Sequence, residues 1–210
     1  MVKVVGPMMS LQASGTIGNT LTFAQWKGRP YVRQRVIPTN PNSAAQQGVR
    51  SMLKFLADQW SIISALDKAT YTTAAEGRNI SEYNQYISEN LSRWQTFATP
   101  AQASPPAEAS TPLDVSSMTL TGGVKSITVE LTPSAATDIW GFILMRDTAE
   151  ITAPAWNLVI AVLPADGANK ITHVDAPLPA GTYHYRAAAF NDDGVCGTYI
   201  ADNSETATAS

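Results

Sequence analysis

LPAGTYHYRAAAFN (residues 178–191) is the stretch on which the fold turns. From Thr182 to Asn191 it is a strand-like run, entered through Pro179 and Gly181 and closed by the turn-forming Asp192-Asp193-Gly194. Outward from it the same two-residue period recurs in Val195 to Ile200, Lys170 to Val174, Leu158 to Leu163, Ile139 to Arg146, Lys125 to Leu131 and Met118 to Thr121. Gly122-Gly123, Pro133-Ser134 and Ala165-Asp166-Gly167 punctuate these runs. Seven short strands within about 95 residues predict an all-β, two-sheet sandwich over residues 113–210.

Upstream the period becomes helical. Val49, Met52, Leu53, Leu56, Trp60 and Ile63 recur at three- and four-residue steps, after Asn42 or Ser43 as N-cap. A second helix is expected from Asp67 to Glu76, stopping at Gly77, and a third from Ser81, with Tyr83, Tyr86, Ile87, Asn90, Leu91, Trp94 and Phe97 on one side. This predicts a small helical unit over 43–99. Residues 100–112 (Ala101 to Pro112 reads AQASPPAEASTP) have linker composition, with reach enough to let the halves separate. On this reading the 113–210 fragment folds alone.

Residues 1–42 are expected to form an extended basic arm. Leu21 to Trp26 and Tyr31 to Ile37 read as two segments of a β-hairpin about Lys27-Gly28, with Pro30 arguing for an edge or loose pairing. Tyr31, Arg33 and Arg35 share one side of the second segment, which is thus cationic and aromatic. Gly15-Thr16-Ile17-Gly18 reads as a turn. Met1 to Ala57 contains seven Lys or Arg and no acid, and the halves differ: residues 1–99 carry ten basic and five acidic side chains, residues 100–210 four and twelve. Ordering an extended arm costs about 1 to 2 kcal/mol per residue, more than two thin strands offset. The arm is therefore expected to lie on a partner or to be disordered when free. Its interleaved large apolar groups favour the partner, through Phe23, Trp26, Arg29, Tyr31, Arg33 and Arg35. Nucleic acid, which also suits cations among aromatics, is disfavoured because no basic residues run consecutively and the whole chain is acidic.

At 44% hydrophobic and 15% charged the composition is globular. No apolar run approaches the roughly 18 residues of a membrane span, and the first residues lack a secretory core, so neither membrane nor that export route is expected. One cysteine, Cys196, and two histidines, His173 and His184, offer no zinc cluster; Cys196 is expected to be a small buried or half-buried strand residue. His173 and Asp175 share a strand face, but no nucleophile elbow accompanies them, and the pair reads as exposed and polar. Asp192-Asp193-Gly194 has too few oxygens for calcium and reads as a plain turn. No catalytic residue, cofactor or metal is therefore expected, nor any enzymatic activity.

Two resemblances add to this. Leu178-Pro179-Ala180-Gly181-Thr182-Tyr183-His184-Tyr185-Arg186-Ala187-Ala188-Ala189-Phe190-Asn191, then Gly194, resemble the penultimate strand of a fibronectin type III domain, which implies an immunoglobulin/fibronectin type III-like sandwich over 113–210. The first strand departs from that family in lacking a Pro-rich start, while Trp140 falls on the third strand, where many sandwiches place a core aromatic. Ser14-Gly15, Gly18-Asn19, Trp26-Lys27-Gly28, Tyr31, Arg33, Asn40-Pro41, Ser43 and Gln46 are similar to the start of small tailed-bacteriophage proteins. That implies a non-enzymatic virion structural protein, an auxiliary capsid (decoration or cement) protein clamped to other virion subunits, homo-oligomeric in the particle and assembled in the host cytoplasm. A tail component such as a fibre adaptor is the alternative, as is a carbohydrate- or cell-surface-binding module, for which Trp156 is the candidate loop aromatic, although a loop-packing role suits it better.

Overall fold

The computed structural model describes residues 3–4, 13–18, 20–37, 43–107, 114–134, 139–167 and 169–209. The chain divides into two compact units, Met1–Pro41 and Asn42–Ser210. Its described part is mixed α+β, with three helices and three antiparallel sheets.

The first unit is a sheet rather than an extended arm. Strands β1 (Lys3–Val4), β2 (Ala13–Ile17), β3 (Leu21–Trp26) and β4 (Arg29–Gln34) pair in the order β1-β2-β3-β4. The expected hairpin is β3–β4. Lys27 and Gly28 both take left-handed backbone angles, φ 48° and 78°, the two-residue turn whose twist matches paired strands. The segment taken for a turn, Gly15 to Gly18, instead lies mostly within β2, and only Gly18, at φ 52°, is in the reversal towards β3. The tight turn makes Trp26 and Arg29 a hydrogen-bonded pair, so the nitrogen of Pro30, next along, points away from β3. There its missing N–H costs no ladder bond.

The second unit opens with α1 (Ala44–Trp60), α2 (Ala65–Ala74) and α3 (Glu82–Gln95). Ser64 and Ser81 cap the latter two, accepting from the amides of Asp67 and Asn84. Ser43 precedes α1 in extended conformation without a side-chain capping bond; Asn42, the other expected cap, lies outside the described residues, as does the Asn40-Pro41 turn. Seven strands follow: β5 (Val115–Gly123), β6 (Ser126–Pro133), β7 (Gly141–Asp147), β8 (Val159–Pro164), β9 (Ile171–Asp175), β10 (Gly181–Phe190) and β11 (Asn203–Ala207). They form two antiparallel sheets, β5-β6-β9 and β11-β10-β7-β8. The seventh strand is not Val195 to Ile200, which forms no regular strand but is tied to β10 by an isolated bridge from half-buried Cys196 to Phe190 and by the Gly197 and Ile200 amides, which donate to Ala189 O and Ala187 O.

Three layers result. Between the sheets lie Ile127, Val129, Leu131, Phe142, Leu144 and Tyr185. The outer face of the four-stranded sheet, through Ile143, Met145, Val159, Val162 and Phe190, packs against Met52, Phe55 and Leu56 of α1 and Tyr86 and Trp94 of α3. Residues 141–145 of β7 are therefore buried on both faces. Trp140 precedes β7 and belongs to the helical side, not to the inter-sheet core where the sequence placed it. Its indole Nε1 donates to Gln59 Oε1 at 2.7 Å, and Phe55 packs edge-on to it at 5.0 Å.

Helix α1 approaches β8 through Gly48 and Ser51. A Cβ on Gly48 would sit 2.5 Å from the carbonyl oxygen of Val159. Ser51 Oγ accepts from Val162 N–H at 2.7 Å and donates to Val162 O at 3.2 Å, satisfying an edge that has no further strand. The segment taken for a linker is likewise fastened at its start. Fully buried Asn90 accepts from Ala101 N–H at 2.7 Å and donates to Ala101 O at 3.2 Å, while Tyr71 Oη donates to the same carbonyl at 3.0 Å. Gln102 N–H donates to Asp192 O at the end of β10. Residues 101–107 thus do not act as a spacer between separable halves; residues 108–113 lie outside the described part.

Gly48→Ala is expected to lower the unfolding free energy by about 1 to 3 kcal/mol, overpacking outweighing the gain in helix propensity. Ser51→Ala should cost a similar amount by orphaning both Val162 groups; urea unfolding measures both. The 113–210 fragment, contrary to the sequence expectation, should expose its helix-covered face, bind a hydrophobic dye and run as an aggregate on gel filtration.

Candidate functional site

Strand register sorts the sequence-chosen residues of the first unit onto two faces. Directly opposed pairs share a face, and the face alternates along each strand. Trp26 pairs with Arg29, Ala24 with Tyr31, and Thr22 with both Arg33 and Thr16, so Trp26, Arg29, Tyr31, Arg33, Thr22 and Thr16 share one face. Phe23 pairs with Val32 and Gly15 on the other, along with Leu21 and Ile17. Phe23 therefore does not join the set. Arg35 lies beyond β4; its amide donates to Thr20 O at 2.7 Å and its guanidinium reaches Gly18 O at 3.4 Å, which latches the β2–β3 turn.

The remaining four form a built surface. Trp26 is 65% exposed and Tyr31 40%. Arg29 and Arg33 flank Tyr31 two positions away on either side, about 7 Å along the strand. Lys27 lies over the Trp26 ring at 5.0 Å. The Thr16 and Thr22 hydroxyls, 3.3 Å apart, add hydrogen-bonding groups that the sequence reading missed. For Thr22 the signal was available, since counting outward from the two-residue turn at Lys27-Gly28 gives the β3–β4 pairing; Thr16 depends on the separate β2–β3 register. This face can stack flat apolar surfaces on its rings, accept and donate hydrogen bonds, and pair with anions.

In the second unit the polar groups are committed to structure. Asp175 is buried, not half of an exposed pair. Arg146 Nη1 donates to both its oxygens at 2.6 and 2.7 Å, and Tyr185 Oη donates to Oδ2 at 2.8 Å. Burial, together with the neighbouring Asp175 charge, raises the Tyr185 phenol far above its ordinary value. His173 is held below its usual value chiefly by burial, which outweighs the opposing pull of Asp175. His184 Nδ1 and Asp202 Oδ2 lie 2.6 Å apart, and Asp202 Oδ1 also accepts from the Ile151 amide, tying the segment before β11 to the sheet. A groove of ≈ 480 Å³ runs between α1 and strands β8 and β9, past Arg50, Lys54, Phe55, Val162 and His173. Trp156, on a 3-10 turn before β8, is 42% exposed. Burial pushes the Cys196 thiol up, away from the reactive thiolate form. Among the described residues no group of three or more His, Cys, Asp and Glu side chains is placed to hold a metal ion. None of the described helices is long and apolar enough to cross a membrane.

No family model matches the chain. No curated protein matches it either. Among solved structures it is similar in part to a β-1,2-glucanase from Parabacteroides distasonis, at 17% identity and a TM-score of 0.38, over 50% of this chain and 14% of that one. A family 76 glycoside hydrolase from a bovine Bacteroides thetaiotaomicron strain shares 14% identity at a TM-score of 0.36, over 45% of this chain and 20% of that one. The chain spans only these small fractions of the two hydrolases, and so partial a likeness assigns no activity. None of these comparisons supports the expectation of a virion structural protein, and the capsid-decoration reading is set aside.

Asp175→Asn is expected to destabilise the second unit by about 3 to 5 kcal/mol, since Arg146 would keep its buried charge without a countercharge; thermal and urea unfolding measure this. The folded state holds His173 below the 6.5 of the free side chain, so the unfolded chain binds more protons below that pH. The contribution of His173 is thus complete above the window and is lost as pH falls through it. His173→Gln should flatten the loss of stability between about pH 7 and pH 5.

Proposed function

We propose that this protein is a non-catalytic, cell-surface carbohydrate-binding module whose ligand lies on the Trp26–Tyr31 face of the N-terminal sheet. The observation that carries the reading is the register, which sets two exposed aromatic rings and two threonine hydroxyls on one open face. A pyranose ring has an apolar C–H side that stacks on an aromatic ring and a rim of hydroxyls that needs hydrogen-bonding partners. Diagonal neighbours on adjacent strands, such as Trp26 and Tyr31, stand about 7 to 8 Å apart, so one saccharide chain can cover both rings. Trp156 offers a single half-exposed ring at the turn before β8, a poorer platform than the sheet.

The second unit is then the scaffold, and we read its β layers as a fibronectin type III-like sandwich. Two features support this. The strand orders β5-β6-β9 and β11-β10-β7-β8 divide seven strands three and four, as in immunoglobulin-like sandwiches. Tyr183 near the start of β10 donates its hydroxyl to Pro179 O at 3.0 Å, the back-bond of a tyrosine corner. The helical layer on the outer face is an addition to that plan.

Wild-type protein should bind at least one polysaccharide of a panel of plant, bacterial and animal glycans in isothermal titration. Trp26→Ala and Tyr31→Ala, both at exposed positions, should each weaken that binding by about ten-fold, or 1.4 kcal/mol, with unchanged thermal unfolding. A panel with no binder, or variants that bind like wild type, would refute the proposal.

A further inference from the structure

We infer that the saccharide held by this face is acidic, a polyuronate whose carboxylates pair with Arg29 and Arg33; this rests on the carbohydrate-binding reading. Charge in the first unit is distributed unevenly in a way that solubility alone does not require. Arg29 and Arg33 stand on the face that carries Trp26 and Tyr31, whereas the opposite face presents Ile17, Leu21, Phe23, Val32, Gln25 and Gln34, all uncharged. Residues 1–41 contain no Asp or Glu, so no carboxylate of the unit neutralises these guanidinium groups. A ligand that brings its own carboxylates does.

The geometry suits sugar acids in particular. A guanidinium presents parallel N–H donors in a planar fork that matches a carboxylate, and it is always charged. With one Arg on each side of Tyr31, a sugar stacked on the tyrosine has cations within reach at both of its ends. The paired Thr16 and Thr22 hydroxyls address a polyol. Single-stranded nucleic acid would also stack on the rings and pair its phosphates. The unit, however, has no run of consecutive basic residues to track a phosphate backbone and the whole chain is acidic, and the sugar acid is the better match.

The test uses the full chain with polygalacturonate and with the same polymer fully methyl-esterified, which keeps the sugar and removes the charge. Wild type should bind the acid about ten-fold or more tighter than the ester, and the difference should shrink as salt screens it. In the Arg29→Gln/Arg33→Gln double variant, acid binding should fall towards that of the ester; Trp26→Ala should weaken both. Equal binding of acid and ester overturns the inference while leaving the carbohydrate reading in place. Absence of binding to either polymer and to every other glycan removes both. Tighter binding of oligo(dT) or of a sulfated polysaccharide than of polygalacturonate overturns the uronate assignment.

Discussion

The second unit depends on one close approach, that of helix α1 to strand β8. Gly48 lets the helix backbone come near the Val159 carbonyl, and Ser51 supplies both a donor and an acceptor to Val162. At that distance Phe55 meets Trp140 and Phe190, and Gln59 meets the Trp140 indole. Each of these contacts presupposes the others, because Gly48, Ser51, Phe55 and Gln59 recur at three- and four-residue steps on one side of the helix. The outer face of the sheet is covered as a consequence, and α3 and the 101–105 segment pack behind it.

Six of the seven expected β-runs and the three helices were legible as periods, since strand and helix repeat differently and turns are marked by Gly, Pro and Asp; β11 was not. The helix face that docks was legible only in part, through Met52 and Leu56. The apolar stripe on α1 suggested Val49 and Leu53 as core residues, yet both are exposed, while Gly48, Ser51 and Gln59 face the sandwich. A contact made through close backbone approach and hydrogen bonds leaves no hydrophobic trace in sequence. The supposed linker misled for a similar reason. Ala101 and its neighbours have the composition of a flexible tether, but Asn90 and Tyr71 fix them with bonds to backbone groups, and those bonds are blind to the identity of the residue held.

On the N-terminal side the chemistry of the surface was legible and its shape was not. The aromatic and cationic content of residues 26–33 is plain in the sequence, whereas membership of a four-stranded sheet depends on pairing with β2 and β1. Once the turn at Lys27-Gly28 sets the β3–β4 register, Phe23 is carried to the opposite face and Thr22 is brought alongside the rings; the β2–β3 pairing then adds Thr16. Long-range polar pairs in the second unit, such as Asp175 with Arg146, are invisible for the same reason: the partners come from different strands of different sheets.

Pro30 has an implication for how the first unit meets other chains. A sheet with an exposed outer strand is a template on which a further strand can grow, and extended polymers of protein arise in that way. In β4 the ring of Pro30 takes up the place of an outward donor and interrupts the template near its start. The margin of the sheet is thereby closed to lengthening near that point, which keeps copies of the chain from zipping together along β4.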